Sequence, residues 1–281
     1  MIIYGKMEIS NINKKKIESL LKKGKRIDNR DFFDYRDIVI ETNISKKAEG
    51  SARVKLGNTE VIVGVKLGTQ EPYPDHDDEG TLMTGMEFNP ICGERYEAGP
   101  PKIDAIEAAR VVDRGIRESG FIDFKKLCIK KGEKVWSVAL DIYCINDDGD
   151  VIDASSLASV VALSLTKLPH YDEKTETIDY ENKKQDLPLT ENIPLTITFY
   201  KINDNFIIDP NREEEDTSNA RVTFTISCPK KEKIINAMQK GDEESIKIEE
   251  LNKIAEESEK IYDKIFPKVE KEIKKLEKSK A

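Results

Sequence analysis

The stretch Gly50-Ser51-Ala52-Arg53-Val54-Lys55-Leu56-Gly57-Asn58-Thr59-Glu60-Val61-Ile62-Val63-Gly64-Val65 holds two strands and the turn between them. Ala52, Val54 and Leu56 alternate with Arg53 and Lys55, the period-two pattern of a strand with one face in a core and one in water. Gly57-Asn58 supplies the positive-φ residues of a tight hairpin. Val61 to Val65 starts a second strand, and its unbroken apolar run predicts deeper burial.

The flanking pattern extends this start. Ile12, Ile17, Leu20 and Leu21 keep helical spacing ahead of Gly24, which predicts a helix from about Asn13 to Lys23. After the hairpin, Gly68 to Gly80 reads as a long polar loop and Leu82 to Phe88 as a strand. Gly99-Pro100-Pro101 breaks the chain before a helix from about Lys102 to Ser119. A strand over Val135 to Ile145, a turn at Asp147-Asp148-Gly149 and a buried helix from Ser155 to about Lys167 follow. Residues 170–187 are charged and read as a surface connection. Strands are expected at Pro194–Tyr200, Phe206–Ile208 and Val222–Ile226. From about Lys231 the chain reads as helical, with a stripe of Leu251, Ile254, Ile261 and Ile265. Val269, Ile273 and Leu276 continue it in shifted phase beyond Pro267, where a kink or restart is expected. Strand clusters alternating with long helices indicate an α+β chain of mixed sheets, not a doubly wound parallel sheet.

At 281 residues, the chain is long enough for one large domain or two ordinary ones. Its 46 basic and 54 acidic residues leave a net charge of −8, the wrong sign for a stand-alone nucleic-acid binder. Residues 1–36 depart from this, with ten lysines or arginines against five acidic residues, so any nucleic-acid contact is a local patch or is shared with partners. No apolar run approaches the roughly 20 residues of a membrane span. The segment Met1-Ile2-Ile3-Tyr4-Gly5-Lys6 lacks the apolar core of a secretion signal, and the natural start is open between Met1 and Met7. Cys92, Cys128, Cys144 and Cys228 are widely spaced, as small buried hydrophobes of a reducing cytoplasm would be. His76 and His170 leave little material for histidine chemistry. Asp75, His76, Asp77 and Asp78 sit contiguously in an extended loop, a poor way to converge on one ion, so neither metal nor cofactor is expected.

Three segments carry candidate chemistry. Arg110, Arg114 and Arg117 fall four and three residues apart, which puts three guanidiniums on one helical stripe suited to successive phosphates. Ile103, Ile106, Val112 and Ile116 then anchor other faces. The competing reading makes the arginines ordinary intrahelical partners of Glu107 and Asp113. Asp153-Ala154-Ser155-Ser156-Leu157-Ala158-Ser159 opens the buried helix, either as an anion site at a helix start or with Asp153 or Ser155 as an N-cap. Ile207-Ile208-Asp209-Pro210-Asn211-Arg212-Glu213-Glu214-Glu215-Asp216 is an acid cluster at a strand end, able to serve a reaction centre, hold a metal or form a polar turn.

Lys25-Arg26-Ile27-Asp28-Asn29-Arg30, then Tyr35-Arg36, lead into the Gly50-Ser51-Ala52 … Gly57-Asn58-Thr59 hairpin. This order of motifs resembles the start of the RNase PH family of phosphate-dependent RNA-degrading proteins. Ala108 to Ser119 is similar to the helix that the non-catalytic ring subunit of the archaeal exosome turns toward RNA, which implies RNA contacts for Arg110, Arg114 and Arg117, with Tyr73 as a further candidate. In phosphorolytic members a Ser or Thr followed by Arg holds the attacking phosphate. Ser155 matches the hydroxyl, but Ser156 stands where the arginine belongs. Two aspartates six apart serve the family's reaction centre, and here Asp209 fits the first, with Glu215 at the second and Asp216 one step late.

The resemblance implies an RNase PH-like fold over residues 31–187 and a smaller lobe over 188–266, with a helix and arm at 1–30 and a charged helical tail at 267–281. It further implies a cytoplasmic hexameric ring of three heterodimers with a catalytic paralogue, RNA-binding cap proteins, and single-stranded RNA degraded from the 3′ end by the paralogue. Two alternatives stay open. The chain is itself a phosphorolytic 3′ to 5′ exoribonuclease, or it is a scaffold without RNA contact.

Overall fold

The computed structural model describes residues 9–229 and 232–278, apart from the side chains at 183, 184 and 275–278. The two candidate starts, the side chain of Leu276 and the last three residues of the tail lie outside these. Ser10 caps helix α1 (Asn11–Lys22), its hydroxyl accepting from the Asn13 N–H at 3.2 Å. Gly24, at φ +70°, ends it. The Lys25 N–H reaches the Leu20 carbonyl and the Gly24 N–H the Leu21 carbonyl, satisfying two end carbonyls.

Strands β1 (Ile38–Thr42), β2 (Gly50–Leu56), β3 (Thr59–Gln70), β4 (Thr81–Phe88), β5 (Cys128–Lys130) and β6 (Lys134–Asn146) form the larger sheet. Its order is β1-β2-β3-β6-β4, with β5 on β6, and only β4 runs parallel to its neighbour. The hairpin register pairs Leu56 with Thr59, as expected. Gly57 alone of the turn pair lies at positive φ, the pattern of a II′ turn rather than the two positive residues the sequence suggested. β3 also runs on to Gln70, because β6 pairs with it to its end, so the polar loop begins at residue 71 and not at 68.

Helix α2 (Ile103–Glu118) and helix α3 (Val151–Leu165) follow β4 and β6. Every residue of α3 except Ser164 is buried. A helix buried on all sides needs cover on all sides, and α3 finds it on β2 and β3 of the larger sheet and on β9 (Leu195–Ile202) of a second sheet. That sheet, ordered β10-β9-β11-β12, is antiparallel and also contains β10 (Asn205–Ile208), β11 (Ala220–Ser227) and β12 (Ile234–Gly241). Helix α4 (Arg212–Thr217) links β10 to β11, and helix α5 (Ile248–Lys278) packs against β9 and β11. Helix α1 docks Ile17 and Leu21 against Tyr200, Ile202 and Ile207.

Several expectations are corrected. α3 begins at Val151, a turn before Ser155, with Asp150 in the left-handed region at its cap. Residues 167–186 form a hairpin, β7 (Lys167–Asp172) with β8 (Thr177–Asp186), rather than a plain connection. Ile178 and Tyr180 alternate with Asp179 and Glu181 there, a strand signal masked by the charge, and Pro169 sits where the register shifts. Residues 234–241 are strand rather than helix, since pairing with β11 overrides a sequence without clear alternation. α5 passes through Pro267 without restarting, held by buried Ile261 and Tyr262 before it and Val269 and Ile273 after. On α2, Ile103 and Ile106 are exposed. The buried face is instead Ala105, Ala108, Ala109, Val111, Val112, Gly115 and Ile116.

Gly50 shows how closely α3 sits on the larger sheet. A Cβ there would lie 2.3 Å from the Ala162 carbonyl oxygen, a backbone atom that cannot swing away. Gly50→Ala is therefore expected to cost about 2 kcal/mol or more through overpacking. Urea unfolding measures it, and a variant as stable as the parent would contradict this packing.

Candidate functional site

The N-terminal arm, the turn after β6 and the segment after β10 meet in one charge network. Asp209, fully buried at φ +43°, lies at its centre. Its Oδ1 accepts from Arg36 Nη2 at 2.6 Å and Nε at 2.9 Å; its Oδ2 accepts from Arg30 Nη1 at 2.8 Å and from the Arg36 N–H. Arg36 also donates to the Asp148 and Gly149 carbonyls. Arg26, wholly buried, binds both carboxylate oxygens of Glu214 and donates to the carbonyls of Ile208 and Asp209. Gly149 lets the two segments touch, since a Cβ there would fall 2.4 Å from the Pro210 carbonyl oxygen.

The remaining acids are also engaged. Asp216 takes a two-pronged contact from Arg95 at 3.0 and 2.7 Å and another from Arg212 at 2.8 Å. Arg212 continues to Asp147, which accepts from the Tyr96 hydroxyl. Glu215 accepts the Asp150 backbone N–H at 2.8 Å. This donor is one of the free N–H groups of a helix start, the place where an anion would bind. Glu215 therefore takes up one of the anion-attracting donors at the start of α3, and the carboxyls of Asp150 and Asp153 lie in the same turn.

Ser155 and Ser156 do not open onto a site. Ser155 is the fifth residue of α3 and fully buried, so neither it nor Asp153 is an N-cap. Ser156 Oγ meets Thr196 Oγ1 at 2.7 Å, and Thr196 meets Thr225 at 3.1 Å. One step along, Asp153 accepts from the Thr198 hydroxyl at 2.6 Å, the Thr198 N–H at 3.0 Å and the Tyr35 hydroxyl at 2.6 Å, while Thr198 meets Thr223. Because β10 ends opposite Phe199, the Thr198 N–H has no strand partner on that side, and Asp153 supplies one. Polar rungs thus fill the layer between α3 and the second sheet.

The arginines of α2 do not stay together. Arg110 and Arg114 line a groove of about 460 Å³ between α2 and strands β11 and β12, with Val111, Thr223, Thr225, Asn236 and Met238. Arg114 pairs with Glu118 at 3.0 Å, and both are exposed. Arg117 turns elsewhere: it binds Asp113 and the Leu82 carbonyl and lies over the Phe124 ring. So the intrahelical alternative holds for Arg117. It fails for Arg110, because Glu107 instead binds Arg221 and Gln239. Tyr73 is exposed in the 71–80 loop. In that loop His76 pairs with Glu79, and Asp77 with Lys131. The reading of β12 as helix hid Asn236, Met238 and Gln239 from the site. The paired isoleucines at 234–235 ahead of a short polar run were the only sequence hint of a strand.

The 3′ exoribonuclease family, domain 1, matches residues 34–169, and domain 2 of the same family matches residues 192–261. The chain belongs to this RNase PH family. The exosome complex component Rrp42 of Methanosarcina acetivorans is 48% identical over 220 residues, covering 78% of this chain and 80% of the relative. A chain of the Archaeoglobus fulgidus exosome solved with RNA bound to the active site superposes with a TM-score of 0.79 at 39% identity, over 87% of this chain and 92% of its own. A chain of an archaeal exosome core gives 0.80 at 37% identity, over 92% and 97%.

Burial pushes the Asp153 carboxyl up to about 6, against the pull of its bonds from Thr198 and Tyr35. An acid raised in the folded state binds a proton there that the unfolded chain binds only near pH 4. Its contribution therefore grows as pH falls from above 6 toward 4, by at most about 3 kcal/mol. Burial raises Asp150 in the same direction. Asp153→Asn is expected to flatten this part of the stability profile in urea unfolding at pH 7.5, 6 and 5. Parallel profiles for variant and parent would refute it.

Proposed function

We propose that this chain is a non-catalytic ring subunit of an archaeal-type exosome, pairing with a catalytic RNase PH-like paralogue that degrades single-stranded RNA phosphorolytically from its 3′ end. One observation carries the non-catalytic part. Where phosphorolytic relatives are expected to hold phosphate, this chain places Glu215 on the helix-start N–H and buries Ser156 against Thr196, with Asp209 locked by Arg30 and Arg36. A phosphate dianion arriving there meets carboxylates, and the guanidiniums described beside them are already paired. The relatives' names and the whole-chain likeness to exosome subunits support the ring. The family resemblance supports the division into a first lobe, a smaller second lobe and a helical tail, and the cap proteins as further partners. The exposed Arg110 and Arg114, within the stretch that resembles the RNA-facing helix, support RNA contact within a field shared across subunits.

Two outcomes are expected. The isolated chain shows no phosphate-dependent shortening of RNA, and Ser156→Arg does not create it. A guanidinium in that buried polar layer instead lowers stability by about 3 kcal/mol. Robust turnover by either protein would overturn the assignment.

In the assembled ring, Arg110→Ala and Arg114→Ala each weaken RNA retention without regard to sequence. Arg110→Ala lowers the log–log salt slope by about 0.7, and Arg114→Ala by less, because the exposed Glu118 shares its guanidinium. Arg117→Ala, already paired internally, mainly lowers stability. Unchanged slopes in the first two variants would remove RNA binding from this groove.

A further inference from the structure

Glu107 and Arg110 stand three residues apart on α2, a spacing at which helices pair carboxylate with guanidinium. That pair is not made. Glu107 Oε1 accepts instead from Arg221 Nη2 at 2.6 Å and from Gln239 Nε2 at 2.5 Å. The two donors come from the adjacent strands β11 and β12, where Arg221 faces Gly241 and Gln239, two residues along, faces Thr223. Arg221 is itself seated: its side chain is only 13% exposed, and its guanidinium lies over Gly241, where a Cβ would come within 2.8 Å of Nη2. Arg110, at the groove, is exposed and has no hydrogen bond or ion pair to another side chain among the described residues.

A carboxylate one turn away competes with phosphate for the same guanidinium, and being tethered it competes at high effective concentration. Turning Glu107 toward Arg221 removes this competitor and also cancels its charge beside Arg110. We propose that Arg221 and Gln239 are positioning residues that withdraw Glu107 and so keep the Arg110 guanidinium available to a nucleic-acid phosphate. The proposal rests on Arg110 meeting RNA, as argued above. Neither residue touches the nucleic acid in this account; both act through Glu107.

The test uses the assembled ring and a single-stranded RNA titrated across a salt series, with light scattering to follow assembly. Arg221→Met releases Glu107 to Arg110 and is expected to lower the salt slope by about 0.7, as Arg110→Ala does. Adding Glu107→Gln to Arg221→Met restores the slope, because an amide carries no charge with which to hold Arg110. A merely structural role for Arg221 would not be rescued this way. Gln239→Leu removes one of the two donors and shifts the slope part of the way; with and without Glu107→Gln it decides the question if Arg221→Met fails to assemble. The proposal is overturned if Arg110→Ala lowers the slope while the Arg221 and Gln239 variants do not, or if their losses persist alongside Glu107→Gln. An unchanged slope in Arg110→Ala itself overturns the RNA reading of the groove, and this proposal with it.

Discussion

The buried pairing of Arg36 with Asp209 is the contact on which the rest of the structure depends. Asp209 has no exposure to water, so its charge is tolerable only while Arg36 and Arg30 stay in place. Removing one side of such a pair typically costs about 3–5 kcal/mol, because the other charge is left buried alone. Through Arg36 the same contact holds the turn at 147–150, the strand end at 208–210 and, by way of Tyr35, the first turn of α3. Residues that mark the family at the level of sequence are here a clamp between segments.

That clamp explains what the sequence could and could not disclose. The hairpin at 50–65 was legible because its signal is local: alternating side chains and a turn of two residues. The helix at 103–118 was legible in extent, since Pro100-Pro101 precedes it and Gly120 follows. Its faces were misjudged because two isoleucines point to solvent while alanines and a glycine meet the sheet, and Gly115 lies so near Thr225 that a Cβ would come within 2.8 Å. The partners of Arg26 and Arg36, and the Asp209 partner of Arg30, could not be read at all, for they lie in segments that only the finished fold brings near; Asp28, two residues before Arg30, is its local carboxylate partner. The same holds for Glu107, whose obvious partner by spacing is not its partner in space.

The polar layer between α3 and the second sheet follows ordinary physics. Thr196 and Thr198 face Thr225 and Thr223 across adjacent strands, and Ser156 and Asp153 of α3 close onto them. Such groups are costly inside a protein when left alone and acceptable when bonded to one another. Their mutual satisfaction also fixes the register of helix against sheet more strictly than aliphatic contacts would, since sliding by one residue breaks every rung. The opening turns of α3 are in this way spent on alignment.

The same arginines bear on how the chain is made. The residues that receive Arg26, Arg30 and Arg36 are separated from them by as many as 188 positions. During synthesis the larger sheet can close long before those acids leave the ribosome, at roughly 5–20 residues per second. For some ten seconds or more Arg26 and Arg36 lack the carboxylates of Glu214 and Asp209 and Arg30 has only that of Asp28, beside a sheet whose covering helix still lacks its second layer. Completion of the fold waits on the second sheet, and the exposed basic arm is the part of the nascent chain with most to gain from a partner in that interval.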